Sequence, residues 1–456
     1  MDYLETVKLI KDIEARYNVM QMKYHGVIIW PYLRTKLLEK ISGAKTAEEK
    51  SLKSSVSQVL KTLFYYNPFK VFKLAEVWCV TAFERRKIID KQAIMRVSGG
   101  VIESFPNALI IEKPSATQSQ TPRSYIKERN IVSESWILLF THIFMAIGKP
   151  FRQKIEGDDV LFKILLDYNI TFDYQAALRR LLYQKIATDI LLRITRTPKM
   201  VFVECPYNLM GNIWSFHEHG IYVIELQHGV INSTHFTYNS RFHSDILYPD
   251  QICVFGDTEY DYMLGKDCCY CKNVTKTGLY FLEKVDNHFA KDPFEDYRKN
   301  YNNIILVAGQ NLFEERMVGF VDSIASKEQD SIFLYVPRTN LYFTFSSRNV
   351  KCCTGVNIYE YMKWCDVHLT VSSTTCLECQ YFKKPTIFYD CIGMASTYYK
   401  DLLREENGAI YINTSDEFHS ALEKAINSKF KYKTLFEKNT SQKIRDIINK
   451  RLFTND

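Results

Sequence analysis

Short apolar runs bounded by turn residues recur along the chain in two series. EVWCVTAF (76–83), QAIMRV (92–97) and ALIIEKP (108–114) are rich in branched residues, and they read as strands buried on both faces. A helical section over about 133–197 separates them from MVFVECP (200–206), IYVIELQHG (221–229), QICVFG (251–256) and NVTKTG (273–278). Residues 208–219 leave room for one helix between the first two of these runs. The alternation predicts βαβ units and a parallel sheet with helices on its faces. Residues 283–302 are charged and polar with a proline at 293, as in an interdomain linker. The rhythm then restarts with NIILVAG (303–309), SIFLYVP (331–337), VHLTVSS (367–373), PTIFYD (385–390) and AIYIN (409–413). The expected organisation is a first α/β domain over 1–285 with helical additions, a second over 303–430, and a helix within 431–456 that packs back on the first.

Two apolar stretches need separate treatment. WILLFTHIFMAIG, Trp136–Gly148, is shorter than the ~20 residues that span a bilayer and contains His142, so it predicts a buried helix. Leu60–Lys73, LKTLFYYNPFKVFK, mixes aromatics with lysines; it suits a membrane surface, or more plainly a core helix broken at Pro68. The N-terminal MDYLETVKLIKDIEARYNV is amphipathic at helical spacing and lacks the layout of a secretory signal, which predicts a cytoplasmic protein.

At 456 residues, 46% hydrophobic and 24% charged, the chain has room for two or three ordered domains. A net charge of +7 favours anionic partners without separating nucleotide from membrane surface, and no nucleic-acid partner is expected. The 12 cysteines are scattered, which predicts free thiols. Cys268/Cys271 and Cys376/Cys379 have C-x-x-C spacing but no second ligand pair nearby, so no zinc and no other metal is expected.

Ligands of open α/β sheets bind beyond the carboxyl ends of the strands, so the loops there carry the candidate chemistry. The first series offers Glu204, Cys205, Pro206, Tyr207 and Asn208, then Gln227, His228 and Gly229, with His235 in the same loop. With an ordinary pKa of about 6.5, His228 suits acid–base work near neutrality, and Gly229 suits a sharp turn or a close ligand approach. A satisfied histidine at a strand end is the plainer alternative. Glu225 is a further candidate if its strand position aims it there. The second series offers Gln310 and Asn311, Arg338 with Thr339 and Asn340, and the run Ser372, Ser373, Thr374, Thr375. Four hydroxyl residues between a strand and a helix bring side-chain oxygens and free backbone N–H groups together at the positive end of a helix dipole, which favours phosphate. Thr375 and Glu378 also have capping-box spacing, so simple capping competes with that reading. Arg338 would neutralise a phosphate, and Glu378 would accept from ribose hydroxyls.

The stretch NIYEYMKWCDVHLTVSSTTCLECQYFKKPTIFYD (357–390) resembles the nucleotide-sugar-binding half of bacterial capsule and surface-polysaccharide glycosyltransferases of the GT-B type. A helix, an Asp before the strand, a Ser/Thr-rich turn, a helical Glu and a turn before Pro385 follow in that order. VIELQHGVI and YPDQICVFGD (248–257) resemble the acceptor-side domain of the same group. Two departures stand out: Phe382-Lys383-Lys384 replaces the usual glycine turn, and LYVPRTN lacks the Lys-x-His-Pro often found at that strand end. The resemblance implies an α/β fold of two Rossmann-like domains facing across a cleft, with a helical N-terminal section. It implies a metal-independent glycosyltransferase that moves a sugar from a nucleotide-sugar donor to a glycan or lipid-linked glycan acceptor. His228 and Gln227 would be catalytic, Arg338, Ser372–Thr375, Glu378 and Gln310 would hold the donor, and Gly229, Asn208, Glu204 and His235 would lie on the acceptor side. No cofactor is expected, and peripheral contact with the inner membrane stays open. A CDP-glycerol-type glycerophosphotransferase, a UDP-sugar 2-epimerase and a non-catalytic scaffold of polysaccharide assembly are the rival readings.

Overall fold

The computed structural model describes residues 3–43, 52–148, 152–233, 235–265, 268–310, 313–338 and 341–453. Asn311, Thr339 and Asn340 lie outside the described residues. The chain divides into two compact units: residues 1–255, 259–280 and 439–456, and residues 256–258 with 281–438.

The first unit opens with α1 (Tyr3–Arg16), a small hairpin of β1 (Lys23–Tyr24) and β2 (Val27–Ile28), α2 (Trp30–Ser42) and α3 (Leu52–Thr62). Next come β3 (Val77–Ala82), the antiparallel pair β4 (Arg86–Ile89) and β5 (Gln92–Met95), α4 (Gly99–Ser104), β6 (Leu109–Lys113) and β7 (Ile131–Ser133). The helices α5 (Ser135–Gly148), α6 (Asp158–Asp167) and α7 (Tyr174–Ile194) lead to β8 (Met200–Val203), α8 (Met210–Glu218), β9 (Tyr222–Leu226), β10 (Gln251–Val254), α9 (Asp257–Met263) and β11 (Asn273–Lys276). Seven of the strands form one parallel sheet in the order β11-β10-β9-β8-β3-β6-β7. The chain therefore starts at the centre with β3, builds to one side, then returns through β8 to build the other. This is the doubly wound Rossmann-like order, with its switch point between β3 and β8.

The second unit repeats the plan. Following α10 (Tyr280–His288) come β12 (Asn303–Ala308), α11 (Glu314–Ala325), β13 (Ser331–Val336), β14 (Val350–Cys352), α12 (Ile358–Trp364) and β15 (Val367–Thr370). Then follow α13 (Thr375–Tyr381), β16 (Thr386–Tyr389), α14 (Met394–Tyr399), β17 (Ala409–Ile412) and α15 (Phe418–Asn427). The six parallel strands run β14-β13-β12-β15-β16-β17, which puts the switch point between β12 and β15. Finally α16 (Thr440–Phe453) belongs to the first unit, with Ile444 and Ile448 each 1% exposed.

Central strands such as β8 and β15 are buried along their whole length, as expected of strands covered on both faces. An aspartate before a strand performs the same task in each unit. Asp250 Oδ2 accepts the Val223 N–H at 2.7 Å, and Asp366 Oδ2 accepts the Ile304 N–H at 2.8 Å. Each carboxylate ties the start of its own strand to the strand beside it. The Asp of the resemblance is thus structural, at the end of the sheet remote from ligand-binding loops.

Three expectations need correction here for physical reasons. QAIMRV does contain a strand, but not one of the parallel sheet: Gln92–Met95 pairs antiparallel with β4 in a two-stranded sheet, and its burial alternates because the hairpin has one face toward the core. Nor is α5 the buried helix that its composition predicts. Its buried residues are Ser135, Thr141 and Gly148, whereas Phe140, Ile143 and Ile147 are 43%, 42% and 65% exposed. Small residues face inward because neighbours come so close: a Cβ on Gly148 would lie 1.8 Å from the Tyr183 hydroxyl. The Leu60–Lys73 segment is a core element on one face only: Thr62, Leu63 and Tyr66 are buried and a new turn starts at Pro68 as expected, but α3 ends at Thr62 and Leu60, Phe64, Phe69 and Phe72 are exposed.

The Phe382-Lys383-Lys384 turn leaves a mark on the backbone. Lys383, just past the end of α13, has φ of 55°, the left-handed conformation favoured there for glycine. Replacing Lys383 with glycine is expected to stabilise the second unit by about 1 kcal/mol, measured as a higher urea midpoint.

Candidate functional site

The carboxyl ends of β8 and β9 bring together residues that are distant in sequence. Past β8, Cys205 adopts φ of 54°, an uncommon conformation for a non-glycine residue, and this turns the chain sharply into Pro206 and Tyr207. Arg85 Nη2 lies 2.8 Å from Cys205 Sγ, and Arg85 Nε lies 3.9 Å from Glu204 Oε2. The Tyr207 hydroxyl reaches Cys205 Sγ at 3.8 Å and His228 Nε2 at 3.2 Å. The His235 ring lies 6.3 Å from Tyr207 and 4.7 Å from Tyr238. Arg96 Nη1 donates to the His228 carbonyl at 3.2 Å. Glu204, His228 and His235 are therefore neighbours of one arginine–tyrosine cluster, as the strand-end argument anticipates.

Three buried polar atoms in this cluster lack a protein partner, Asn208 Oδ1, His228 Nδ1 and His235 Nδ1, whereas the Glu204 carboxylate is held by Arg85 and by hydrogen bonds from Ser98 and Thr81. Leaving such atoms unpaired costs about 1–3 kcal/mol each, so their grouping points to a ligand that supplies hydrogen bonds. Burial drives the His228 pKa well below its ordinary value, and the charges of Arg85 and Arg96 add to this. Burial also lowers His235 to about 4. The ordinary pKa expected for His228 is thus corrected: both rings are neutral at physiological pH and can accept a proton or a hydrogen bond. Burial raises the Glu204 carboxyl, with Arg85 opposing it.

Other residues of the loop play different parts. Gln227 Oε1 accepts the Phe255 N–H at 2.6 Å and its Nε2 donates to the Gly229 carbonyl at 2.8 Å, so both ends of this amide engage backbone. Gly229 sits at a bend, but without a left-handed φ, so the bend itself does not require glycine; a Cβ there would meet nothing within 4 Å, which leaves its flank open to an approaching group. Glu225 points elsewhere, accepting from the Tyr238 and Tyr270 hydroxyls, each at 2.6 Å. Burial raises its pKa from 4.5 to about 7 despite these bonds. Between those values the native state keeps a proton that the unfolded chain has lost, so stability falls as pH rises through the window. Glu225→Gln is expected to remove this slope, worth roughly 3 kcal/mol, when urea midpoints are compared from about pH 5 to about pH 8.

The N-terminal helices hold this loop in place. Arg34 of α2, 1% exposed, donates to the carbonyls of Phe236 at 3.2 Å and Asn239 at 3.1 Å and lies 3.9 Å over the Phe236 ring. Its Nε pairs with Glu14 of α1 at 2.8 Å, and Trp30 Nε1 donates to the same carboxylate at 2.9 Å.

In the second unit the switch point is built from the ends of β12 and β15. Gly309 is closely packed: a Cβ would lie 2.6 Å from Glu314 Oε1 and 3.1 Å from the Pro337 Cα, so any side chain there would have to displace the Glu314 carboxylate. Gln310 Oε1 accepts both the N–H and the hydroxyl of Ser372, each at 3.0 Å, which pins the Ser/Thr turn to β12. Ser373 is half-buried and Thr374 exposed at the mouth of the turn. Thr375 turns inward, where its hydroxyl meets His368 Nε2 at 3.0 Å while His368 Nδ1 meets the Thr386 hydroxyl at 3.1 Å. Burial lowers the His368 pKa to about 3, so this bridge is neutral. The Thr375/Glu378 capping box does not form, since the N-cap Thr374 makes no side-chain cap bond and Glu378 accepts from the Tyr359 hydroxyl at 3.2 Å, but Ser373 Oγ accepts the Thr375 N–H at 3.4 Å, so one hydroxyl of the run does serve the helix start. Glu378 is only 3% exposed. Arg338 has an exposed side chain, and its N–H is fixed by Glu314 Oε1 at 2.8 Å.

Sequence reasoning missed Arg85 and Arg96 as members of the first cluster, whereas Cys205 and Tyr207 lie in the loop it singled out, without a role assigned to them. Arg85 and Arg96 flank the β4–β5 hairpin, so reading QAIMRV as a sheet strand hid them. Among the described residues no group of three or more His, Cys, Asp or Glu side chains could hold a metal ion, and the C-x-x-C cysteines are free thiols.

No protein-family model matches the sequence, and no curated protein sequence matches it either. Solved structures do align. MnaA of S. aureus, in a co-structure with UDP, aligns over 83% of this chain and 97% of its own at 11% identity with a TM-score of 0.52. UDP-GlcNAc 2-epimerase from Methanocaldococcus jannaschii aligns over 82% and 98% at 11% identity, TM-score 0.48. CalG4, the calicheamicin glycosyltransferase, aligns over 83% and 95% at 11% identity, TM-score 0.46. The chain has two parallel-sheet Rossmann-like domains of the GT-B type with a helical N-terminal region.

Proposed function

We propose that the protein is a glycosyltransferase that takes a sugar from a nucleotide-sugar and passes it to a surface-polysaccharide or lipid-linked glycan acceptor. The observation that carries the nucleotide half of this reading is the second-unit switch point. There Gln310 holds Ser372, the Thr374 side chain is exposed at the mouth of the turn, and the half-buried Ser373 accepts the Thr375 N–H while its own hydroxyl proton can still be donated. Ser373, Thr374 and Arg338 receive the phosphates in this reading, and the UDP bound by MnaA in a similar fold supports it. Glu378 is assigned to the ribose, although its contact with Tyr359 must then open.

The first unit supplies the acid–base chemistry. In an inverting transfer the acceptor O–H gives its proton to the unpartnered His228 Nδ1 as the new C–O bond forms at the anomeric carbon. The bond from that carbon to phosphate breaks, and its electron pair leaves on the nucleoside phosphate. Tyr207 orients the ring through Nε2, Gln227 holds the loop, and Glu204, Asn208 and His235 offer acceptors to sugar hydroxyls.

A 2-epimerase reading is favoured by the same cluster, because two neutral imidazoles and a carboxylate also suit moving a proton on and off one sugar carbon. A panel of UDP-, CMP-, GDP- and dTDP-sugars with CDP-glycerol tests these readings by thermal shift. The preferred nucleotide is expected to raise Tm by roughly 2–4 °C per kcal/mol of binding linkage, and Gln310→Ala to abolish the rise. Absence of a shift with every compound overturns the proposal. Conversion of a UDP-sugar with no acceptor present assigns the epimerase instead.

A further inference from the structure

One face of the first unit carries large apolar side chains outward. On α3 and the segment following it, Leu60, Phe64, Phe69, Phe72 and Leu74 are 53%, 72%, 75%, 54% and 62% exposed. This segment and α5 are joined. Phe64 meets Trp136 edge-on at 5.6 Å, Trp136 Nε1 donates to the Leu63 carbonyl at 3.2 Å, and the Thr62 and Ser135 hydroxyls bond at 2.7 Å. Val71 and Ile137 pack against the same core cluster. The inside-out arrangement of α5 extends the surface, since a water-facing helix ordinarily turns its apolar stripe to the core. Exposed apolar side chains grouped on this scale mark an interaction surface.

Charge narrows the choice of partner. From Leu52 to Ala75 the sequence holds Lys53, Lys61, Lys70 and Lys73 and no Asp or Glu, and Ser135–Gly148 holds no charged residue. Lys61 and Lys73 are exposed, and Lys73 Nζ meets only a neutral acceptor in the hydrogen bonds described, Asn130 Oδ1 at 2.9 Å. A partner must therefore offer apolar depth and negative charge side by side, as a bilayer with anionic headgroups does. The 14 residues of α5 extend about 21 Å, short of the ~30 Å hydrocarbon core, so the helix can lie along a bilayer and not cross it.

We propose that this face seats the protein on an anionic lipid bilayer. Phe64, Phe69, Phe72 and Ile147 enter the acyl boundary, and Lys61 and Lys73 meet the headgroup phosphates. The proposal is independent of the sugar chemistry. It is tested with the full chain by flotation on phosphatidylcholine vesicles with and without phosphatidylglycerol. Binding is expected only with phosphatidylglycerol and is expected to weaken with salt. The Phe64→Ser/Phe69→Ser variant is expected to bind at least about tenfold more weakly with unchanged Tm, since each buried Phe contributes so much. The Lys61→Gln/Lys73→Gln variant is expected to lose roughly fivefold per charge. Failure of the wild type to float with either vesicle overturns the proposal, as does equal binding by both variants. A dimer in solution that the Phe variant dissociates, without vesicle binding, assigns the face to a second copy of the chain and also overturns it.

Discussion

His228→Ala is expected to lower turnover of the nucleotide-sugar by about 10²- to 10⁴-fold, the range for loss of a positioned acid–base group. The nucleotide-induced thermal shift should persist, because the phosphate-facing groups belong to the second unit. The pH profile provides a sharper check. With burial, Arg85 and Arg96 all lowering the His228 pKa, the free protein keeps this ring neutral well into the acid range. An anionic ligand near the two guanidinium groups offsets their charge and raises the pKa again. The acid limb of kcat should therefore lie at higher pH than that of kcat/KM. Coincident limbs, or an alanine variant with wild-type turnover, would remove His228 from the chemistry.

Arg34→Met is expected to cost about 3–5 kcal/mol of stability, because it leaves the Glu14 carboxylate buried without its cation. Two loop carbonyls lose their donor at the same time. The urea midpoint of the first unit reports the loss. Adding Glu14→Gln should recover part of it, since the stranded charge is then gone while the missing guanidinium contacts remain. If the single and double variants unfold together at the wild-type midpoint, Arg34 does not hold the loop that carries His235.

The sheets were legible because strands covered on both faces must be apolar throughout. NIILVAG and SIFLYVP lie within a residue of β12 and β13 for that reason. The short edge strands β7 and β14 escaped because three residues carry too little pattern to separate from their surroundings. Ser372–Thr375 and His228 were legible as residues at strand ends, yet what each touches was not. Thr375 faces His368 and Glu378 faces Tyr359 because a helix turns successive residues through about 100°, and packing decides which are inside. The Arg85–Cys205 contact joins residues 120 apart in sequence, and no local pattern records such a pair. The α5 misreading is of another kind: hydrophobicity predicts burial only when nothing other than protein competes for the apolar face.

The return of α16 to the first unit has a consequence for synthesis. The helix lies over α4, where a Cβ on Gly100 would come 2.9 Å from Ile444 Cδ1, so that surface of the first unit stays uncovered until residue 440 has been made. A ribosome adding roughly 5–20 residues per second needs on the order of ten seconds or more to travel there from residue 280. The seven strands of the first sheet are complete by residue 276, so the first unit can build its sheet early yet keeps the α4 surface bare until the whole second unit, through residue 438, has been made. A nascent chain stalled before α16 should therefore present that surface to chaperones.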